Sequence, residues 1–219
     1  MPKTPFDPQQ LPVDAIAGEP ALAPERLLPD WLRARFAAPP AWQPELTEEA
    51  LRARPDPTAA AVLIPLVLRP EGLSLLLTQR TAHLSSHGGQ ISFPGGRAEA
   101  YDASPTDTAL REAREEIGLA RQHVEVLGSL PDYYTGTGYR VSPIVGLVAP
   151  PFELLADPSE VAEIFEVPLA FLMDGLNHQR LSVALADGPR HFYAMPYERF
   201  FIWGATAGML RNLFHFLRA

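Results

Sequence analysis

The 219-residue sequence predicts a domain of the mixed α/β class, and three patterns support this prediction. Strand-like apolar runs begin at residue 60 and are separated by Pro-Glu-Gly turn chemistry. A capped amphipathic helix is predicted from Pro105 to about Ile117. Phe201–Leu217 has the apolar spacing of a long C-terminal helix. With 47% apolar residues, the chain has ample material for the core of such a domain.

The first 57 residues differ from the rest, because they contain half of the chain's 24 prolines. Proline fixes φ and has no N–H, so this segment cannot sustain long regular elements. Short helices are predicted at Pro29–Phe36 and Thr47–Arg52. We divide the chain into this Pro-rich N-terminal extension, residues 1–57, and a domain of residues 58–219. A flexible interaction tail is the alternative to an extended arm that packs its aromatic side chains onto the domain, namely Trp31, Phe36 and Trp42.

The domain begins with a predicted β-hairpin, in which Ala60–Leu68 and Leu73–Gln79 flank a turn. Val124–Leu130 and Tyr139–Val148 are predicted as further strands. Pro143 interrupts the second of these and suggests an edge strand or a bulge, because proline cannot donate a hydrogen bond to a ladder. Two shorter elements complete the pattern, a helix that begins over Leu169–Met173 and a strand at His191–Pro196.

The helix that starts at Pro105 carries the most informative residues. Glu112, Glu115 and Glu116 are spaced i, i+3 and i+4, so they form one carboxylate face. Such clustered anions destabilise an isolated helix, and divalent cations such as Mg²⁺ prefer carboxylate-rich sites. A solvated acidic face is the alternative explanation. Ser104 is a good N-cap with Asp107 three residues later, and Gly118 suits the C′ position, so the helix boundaries are well marked.

The region from the Gly95-Gly96 loop to Leu119 resembles the Nudix box, Gly-x5-Glu-x7-Arg-Glu-U-x-Glu-Glu-x-Gly-U, in which U is aliphatic. The matching positions are Gly96, Arg111, Glu112, Glu115, Glu116, Gly118 and Leu119. There are two departures. Gly96-x5 leads to Asp102 instead of Glu, with one extra residue before Arg111, and the first U is Ala113. The insertion precedes the Ser104 cap, so we expect a longer loop with the helical glutamates still in phase.

The resemblance implies a Nudix fold, a mixed β-sheet sandwiched between α-helices, and hydrolysis of a phosphoanhydride with Mg²⁺ or Mn²⁺. Such cleavage needs charge neutralisation and a positioned water. The expected metal ligands are Glu112, Glu115 and Glu116, with Glu99 as a further candidate. Arg111 is expected to orient a glutamate by a charge-assisted hydrogen bond. Nudix enzymes often use a carboxylate from a later loop to activate water, and here the candidates lie within residues 157–169. We favour Glu160 over Glu163.

A second segment, Leu76–Gly96, resembles the signature of the coenzyme A pyrophosphatase subfamily, with Thr81 where serine is usual. The resemblance implies hydrolysis of coenzyme A (CoA), or a CoA derivative, to 3′,5′-ADP and 4′-phosphopantetheine. One alternative is a Nudix enzyme that acts on another nucleoside diphosphate derivative, such as ADP-ribose or NADH. Another is a catalytically silent Nudix module that binds a nucleotide and regulates a partner.

Several residues near the box are candidates for substrate binding. Arg80 and Arg97 flank the expected site and have the planar guanidinium that suits phosphate, although both can equally be surface residues. Gly95 and Gly96 let the backbone approach a ligand closely. Tyr139 stands with two other tyrosines around a Thr-Gly-Thr-Gly loop, where it either stacks on adenine or only closes the loop over the core. His83 and His87 are spaced like a metal pair, but a loop role is favoured.

Composition limits the remaining function classes. The formal net charge of −8 and the pI near 5.2 argue against a protein that coats nucleic acid. This agrees with the small-molecule substrate that the resemblance implies. The chain has no cysteine, which excludes disulfides and thiolate zinc sites. The apolar runs are too short to span a bilayer, and no hydrophobic signal core follows the first residues, so a cytoplasmic location is expected. Composition leaves the oligomeric state open.

Overall fold

The computed structural model describes residues 6–45, 55–83, 88–185 and 188–219. The predicted helix at Thr47–Arg52 and the side chain of His87 lie outside these residues. The strands and helices, in chain order, are β1 (Val13–Ile16), α1 (Pro29–Ala37), β2 (Thr58–Val67), β3 (Ser74–Arg80), β4 (Ile91–Ser92), β5 (Gly95–Arg97), α2 (Pro105–Ile117), β6 (Val124–Ser129), β7 (Tyr133–Tyr134), β8 (Tyr139–Val148), β9 (Val161–Pro168), α3 (Leu169–Leu172), β10 (Gln179–Leu185), β11 (Gly188–Tyr197), β12 (Phe200–Trp203) and α4 (Gly204–Arg218).

Two sheets are formed. The larger has eight strands, with the order β4-β3-β2-β8-β6, while β5 pairs with β2, β7 with β8 and β9 with β3. Strands β2 and β8 are parallel from Thr58 opposite Tyr139 to Val67 opposite Val148, and the other pairs are antiparallel. The smaller sheet is antiparallel, with the order β1-β10-β11-β12. The predicted hairpin is confirmed as β2 and β3, which pair at Leu66 opposite Leu75.

Side chains of the central strand alternate between two separate hydrophobic clusters. Ala61 and Leu63 of β2 belong to the cluster that includes Ala109, Ala113 and Ile117 of α2. Residues on the other face of β2 belong to the larger cluster, which includes much of the buried side of α4. This period of two is the geometry of a strand buried on both faces. The predicted fold class, a mixed sheet between helices, is therefore confirmed.

The N-terminal arm packs on the domain. Phe36 and Trp42 lie with their ring centroids 4.7 and 5.5 Å from that of Phe216 in α4, and Trp31 is partly buried against the same cluster. In α4, the buried Arg211 donates two hydrogen bonds to the carboxylate of Glu19, one of 2.9 Å, and its Nε donates one to Glu45 at 3.1 Å. The expected packing of the arm is confirmed, and the division of the chain at residue 57 stays a prediction.

The prediction of one helix over Phe201–Leu217 is wrong at its start. Phe200–Trp203 forms strand β12 on the edge of the smaller sheet, and the helix begins at Gly204. Aromatic and β-branched residues favour a strand when a partner such as β11 is available, which the apolar spacing alone does not reveal. Gly204 has φ +63°, a conformation that glycine adopts easily, so it allows the sharp change from strand to helix.

The first alternative predicted at Pro143, an edge strand, is wrong, because β8 is an inner strand. It pairs with β2 on one side and with β6 and β7 on the other. The second, a bulge, is closer to the structure, since the register of β6 on β8 shifts between Val126 and Gly128, opposite Gly146 and Val145. The carbonyl of Pro143 accepts a hydrogen bond from Leu130, on the side where the partner changes from β7 to β6. The missing N–H of proline therefore falls at this junction of two short partners, where the ladder is already interrupted.

Among the described residues, no helix is both long and apolar enough to cross a membrane. A cytoplasmic location stays a prediction.

Candidate active site

Capping interactions fix both ends of the acidic helix α2. The hydroxyl of Ser104 accepts a hydrogen bond from the N–H of Asp107 (3.2 Å) and donates one to the Asp107 carboxylate (2.7 Å). At the other end, Gly118 has φ +71° and its N–H returns to the carbonyl of Arg114. The predicted boundaries, Pro105 and Ile117, are those observed. Because both ends are fixed, the carboxylates of Glu112, Glu115 and Glu116 have a defined rotational position on the helix.

Arg111 is the centre of a dense set of hydrogen bonds. Its Nε and Nη2 bind the two oxygens of Asp102 at 3.0 and 2.9 Å, and Nη2 also donates to the carbonyl of Arg97 at 3.0 Å. Its Nη1 donates to Glu112 at 2.8 Å and to Glu115 at 2.9 Å. The guanidinium of Arg111 holds the pKa of Asp102 well below its usual range. Arg111 thus connects the inserted loop to two of the three helical glutamates.

Asp102 also accepts hydrogen bonds from the N–H of Glu99 and the hydroxyl of Thr108, both at 2.9 Å. Its carboxylate is therefore surrounded by donors that fix its position. The residue that departs from the Nudix pattern is thus anchored inside the loop and binds the box arginine. The extra residue before Ser104 lengthens the loop and leaves the helix in phase, as its spacing predicts.

Glu116 is the most buried of the acidic side chains, with 3% of its surface exposed. One oxygen accepts a hydrogen bond from the N–H of Gly95 at 3.1 Å, and the other lies 3.3 Å from Nη1 of Arg80. Burial raises the pKa of Glu116 to about 7, although Gly95 and Arg80 both act in the opposite direction. The ionised carboxylate of Glu116 is therefore unfavourable at this buried position unless a cation is near.

Glu112 lies directly against the backbone of Gly96. A Cβ atom on Gly96 would come within 2.6 Å of the Glu112 carboxylate, so glycine leaves the space that this side chain occupies. A Cβ on Gly95 would instead meet the backbone of strand β2, 2.5 Å from the carbonyl oxygen of Ala61. Burial raises the pKa of Glu112, and the nearby Glu115 and Glu160 contribute in the same direction.

The loop at residues 157–160 brings Glu160 to the same place. The N–H of Asp157 donates to the carbonyl of Glu116 at 2.8 Å, which ties the loop to the end of α2. On the other side, the N–H of Thr81 donates to the carbonyl of Glu160 and its hydroxyl to that of Ser159. The hydroxyl that Thr81 shares with the usual serine therefore has a structural partner.

The loop carboxylate itself faces Arg80, with Oε2 of Glu160 lying 3.5 Å from Nη2 of that arginine. Its neighbours on β9 have other partners. Glu163 pairs with Arg199, and Glu166 binds Arg69 and the hydroxyl of Ser74. Of these three glutamates, the structure brings Glu160 to the acidic helix face and engages the other two elsewhere.

The remaining candidate residues lie farther from Glu116 or contribute backbone only. The side chains of Glu99 and Arg97 are exposed, and the carbonyl of Arg97 accepts from Arg111. Tyr139 packs beside the larger hydrophobic cluster. Its neighbour Tyr133 lies against α4, where a Cβ on Gly208 would come within 2.3 Å of the Tyr133 hydroxyl. This packing favours the interpretation in which the tyrosines close the loop over the core, and adenine stacking by Tyr139 stays a prediction.

The donor set suits Mg²⁺ or Mn²⁺, which prefer carboxylate oxygens. Glu112, Glu116 and Glu160 are close enough to repel one another, since Glu160 raises the pKa of both Glu112 and Glu116, and Glu112 raises that of Glu116. A dication would relieve this repulsion. Within the described part of the chain, however, no three acidic or histidine side chains are grouped as a ready-made metal cage. Glu112 and Glu115 face Arg111, so metal binding requires some of these side chains to reorient.

The family model for the NUDIX domain matches residues 57–181, which is more than half of the chain. The chain belongs to the Nudix hydrolase family. It is 43% identical over 171 residues to proteins named "Uncharacterized Nudix hydrolase NudL" from Salmonella paratyphi B and Salmonella newport, with 78% of this chain and 86% of the relatives covered. A solved MutT/nudix family protein from Enterococcus faecalis aligns with 84% of this chain and 73% of its own length, at a TM-score of 0.45 and 16% identity.

In this Nudix hydrolase, sequence reasoning located the helical glutamates and missed two of their partners. The contact between Arg80 and Glu116 joins residues 36 positions apart. The N–H of Gly95 donates to Glu116. The sequence predicts that the backbone of this loop approaches a ligand, and it does not predict a hydrogen bond to the helix. Arg80 lies in the Leu76–Gly96 segment, and Gly95 adjoins Gly96 of the box. Their position in or beside these motifs is the sequence feature from which a contact with Glu116 could have been predicted.

We predict that Gly96→Ala lowers hydrolysis strongly while the protein still folds. The new Cβ displaces the Glu112 carboxylate, which is the end of a flexible side chain and can move. A positional error of this kind at a catalytic group costs on the order of 100-fold in rate. The measurement is kcat together with the urea unfolding midpoint. Gly95→Ala is the contrast, because its Cβ meets rigid backbone and should destabilise the protein itself; wild-type kcat in Gly96→Ala would contradict the prediction.

We also predict that Glu116→Gln changes the pH dependence of stability. The folded state holds the Glu116 proton more tightly than the unfolded state, so this group's contribution to stability falls as the pH rises from 4.5 to about 7. In chelator-treated protein at pH 8, the variant should be more stable than the wild type, by up to about 3 kcal/mol from the linked shift. The difference should shrink toward pH 4.5.

Urea unfolding at both pH values measures this difference. Glu115→Gln is the matched control, since it is the same change at an exposed position on the same helix, and its effect should be smaller. A stability difference between Glu116→Gln and wild type that does not vary with pH would show that Glu116 carries no buried charge.

Proposed function

We propose that this Nudix hydrolase cleaves the pyrophosphate linkage of CoA or a CoA derivative to 3′,5′-ADP and 4′-phosphopantetheine, with Mg²⁺ or Mn²⁺. One observation carries the proposal. Arg80 lies in the Leu76–Gly96 segment that resembles the CoA pyrophosphatase signature, and its guanidinium is 3.3 Å from Glu116 of the box. The segment associated with the substrate and the helix associated with the chemistry therefore contribute to one site.

The metal is assigned to the helical carboxylates. Glu112, Glu115 and Glu116 are the proposed ligands, and their oxygen donors and mutual repulsion support this. Glu99 is a further proposed ligand, and its side chain is exposed. When bound, the metal supplies neutralisation of charge on the anhydride oxygens and acidifies a water.

The chain's own residues have distinct proposed tasks. Arg111 keeps Glu112 and Glu115 in place through its contact with Asp102. Glu160 accepts the proton of the attacking water, a role that suits a half-exposed carboxylate on the loop beside Glu116. Arg80 binds substrate phosphate.

The other proposed substrate contacts come from residues around the box loop. Arg97 is a second phosphate-binding candidate, and Gly95 and Gly96 give the substrate access to backbone. Adenine stacking by Tyr139 receives no support from its packing beside the larger cluster. The proposal therefore rests on the arginines and glycines more than on the tyrosine.

We predict that CoA is hydrolysed at least about tenfold faster than NADH or ADP-ribose, a difference of 1.4 kcal/mol in transition-state binding. The three compounds are incubated in parallel with Mg²⁺ or Mn²⁺, and products are separated by chromatography. Glu116→Gln, which should lose most activity, controls for contaminating hydrolases. Equal turnover of all three compounds, or no turnover of CoA, would overturn the CoA assignment. No turnover of any compound, with binding retained, would favour a silent regulatory module.

For Glu160→Gln, we predict a fall in kcat of roughly 10²- to 10⁴-fold with Mn²⁺ affinity retained, because a general base contributes this much and the residue is not among the proposed ligands. Glu163→Gln is the matched control on the adjoining strand, where the glutamate pairs with Arg199. An unchanged rate in Glu160→Gln would move the role of base to Glu163 or to a helical glutamate.

A further inference from the structure

The backbone of Arg80 is fixed by hydrogen bonds, and its side chain ends between two carboxylates. Its N–H donates to the carbonyl of Gln90 at 2.9 Å, and its own carbonyl accepts from Gly89 at 3.0 Å. It also pairs with Val161 of β9, at a shift in register. Among the described residues, the guanidinium forms ion pairs with Glu116 and Glu160, and 22% of the side chain is exposed. Any movement at this position is therefore confined to the side chain.

The contacts of Arg80 are longer than those of Arg111. Its two carboxylate contacts measure 3.3 Å to Glu116 and 3.5 Å to Glu160, whereas every contact of Arg111 lies between 2.8 and 3.0 Å. Charge-assisted N–H to carboxylate bonds are ordinarily about 2.7–2.9 Å. Arg111 is thus bound as part of the framework, while Arg80 holds its two carboxylates loosely.

Arg80 lies where the buried carboxylates of the site need a positive charge. Glu116 is almost fully buried, and Glu112 and Glu160 repel its charge. Arg80 supplies a positive charge to both Glu116 and Glu160. A divalent cation that binds Glu116 needs the same oxygens and would be repelled by the guanidinium.

We propose that Arg80 is an exchangeable counter-cation of the active site: it neutralises Glu116 and Glu160 until a divalent cation displaces it, and it then turns to the phosphates of the substrate. This inference rests on the proposed function, which places the metal at Glu116. The exchange couples the two binding events. Metal binding releases a phosphate-binding arginine, and by linkage a bound phosphate favours the state in which the metal has replaced Arg80.

The exchange predicts that loss of Arg80 raises the affinity for Mn²⁺. Loss of an arginine that merely stabilises the site would leave this affinity unchanged or lower it. Removing Arg80 removes a competitor, so the site should bind Mn²⁺ more tightly, on the order of tenfold, although it becomes a poorer enzyme. In the same variant, Mn²⁺-loaded protein should bind 3′,5′-ADP on the order of tenfold more weakly, because the released guanidinium is missing.

The test compares wild type with Arg80→Met, which keeps an unbranched apolar stem and removes the charge. Mn²⁺ affinity is measured by electron paramagnetic resonance of the free ion, and 3′,5′-ADP affinity by calorimetry at saturating Mn²⁺. Arg114→Met is the matched control, since it removes the same charge from an exposed position of α2. Its Mn²⁺ affinity should change much less.

The possible outcomes distinguish a failure of the proposed function from a failure of the counter-cation role. If wild type binds no Mn²⁺, the metal-dependent function itself fails. If wild type binds Mn²⁺ and Arg80→Met binds it no more tightly than Arg114→Met does, the counter-cation role is wrong. If Arg80→Met does not fold, Arg80→Gln decides, because glutamine keeps a polar side chain and removes the charge that competes with the metal ion. Tighter Mn²⁺ binding than wild type supports the exchange, and equal or weaker binding overturns it.

Discussion

Keeping the Glu116 carboxylate in the interior is the constraint on which the rest of the site depends. Burial makes its charge unfavourable, as the raised pKa shows, and the N–H of Gly95 and the guanidinium of Arg80 only partly offset this. The helix delivers the carboxylate to this position, because Ala113 and Ile117 on the adjacent part of its surface anchor α2 on the sheet. The packing that stabilises the fold therefore also places a charge where a cation is favoured.

Arg111 solves a related problem by different means. The helical glutamates repel one another, and Arg111 draws two of them to a guanidinium that Asp102 holds from the loop side. The inserted residue in the loop is compatible with this arrangement because Asp102 still reaches Arg111 with both oxygens. A shorter acidic side chain in a longer loop thus forms a bidentate contact with the box arginine.

The sequence predicted both ends of the acidic helix correctly, because Ser104, Pro105 and Gly118 determine these ends through local contacts. Local patterns failed where a distant partner decides the structure. The apolar spacing predicts a helix over Phe201–Leu217, yet Phe200–Trp203 pairs with β11 and forms a strand. Pro143 suggests an edge, yet β7 and β6 meet opposite it and leave its missing N–H without consequence. The same limit applies to the site, where the contact of Arg80 with Glu116 depends on how β3 lies against α2.

The antiparallel pairing of β3 with β9 explains why three distant segments meet. It places Arg80 opposite Val161, next to the loop that carries Glu160, and Thr81 binds that loop through both its N–H and its hydroxyl. The loop in turn binds the end of α2 through Asp157. Since metal-held carboxylates can serve any phosphoanhydride, they cannot select one substrate. Selection must come from groups that reach past them, and Arg80 of β3, in the segment that resembles the CoA pyrophosphatase signature, is the group proposed here for that role.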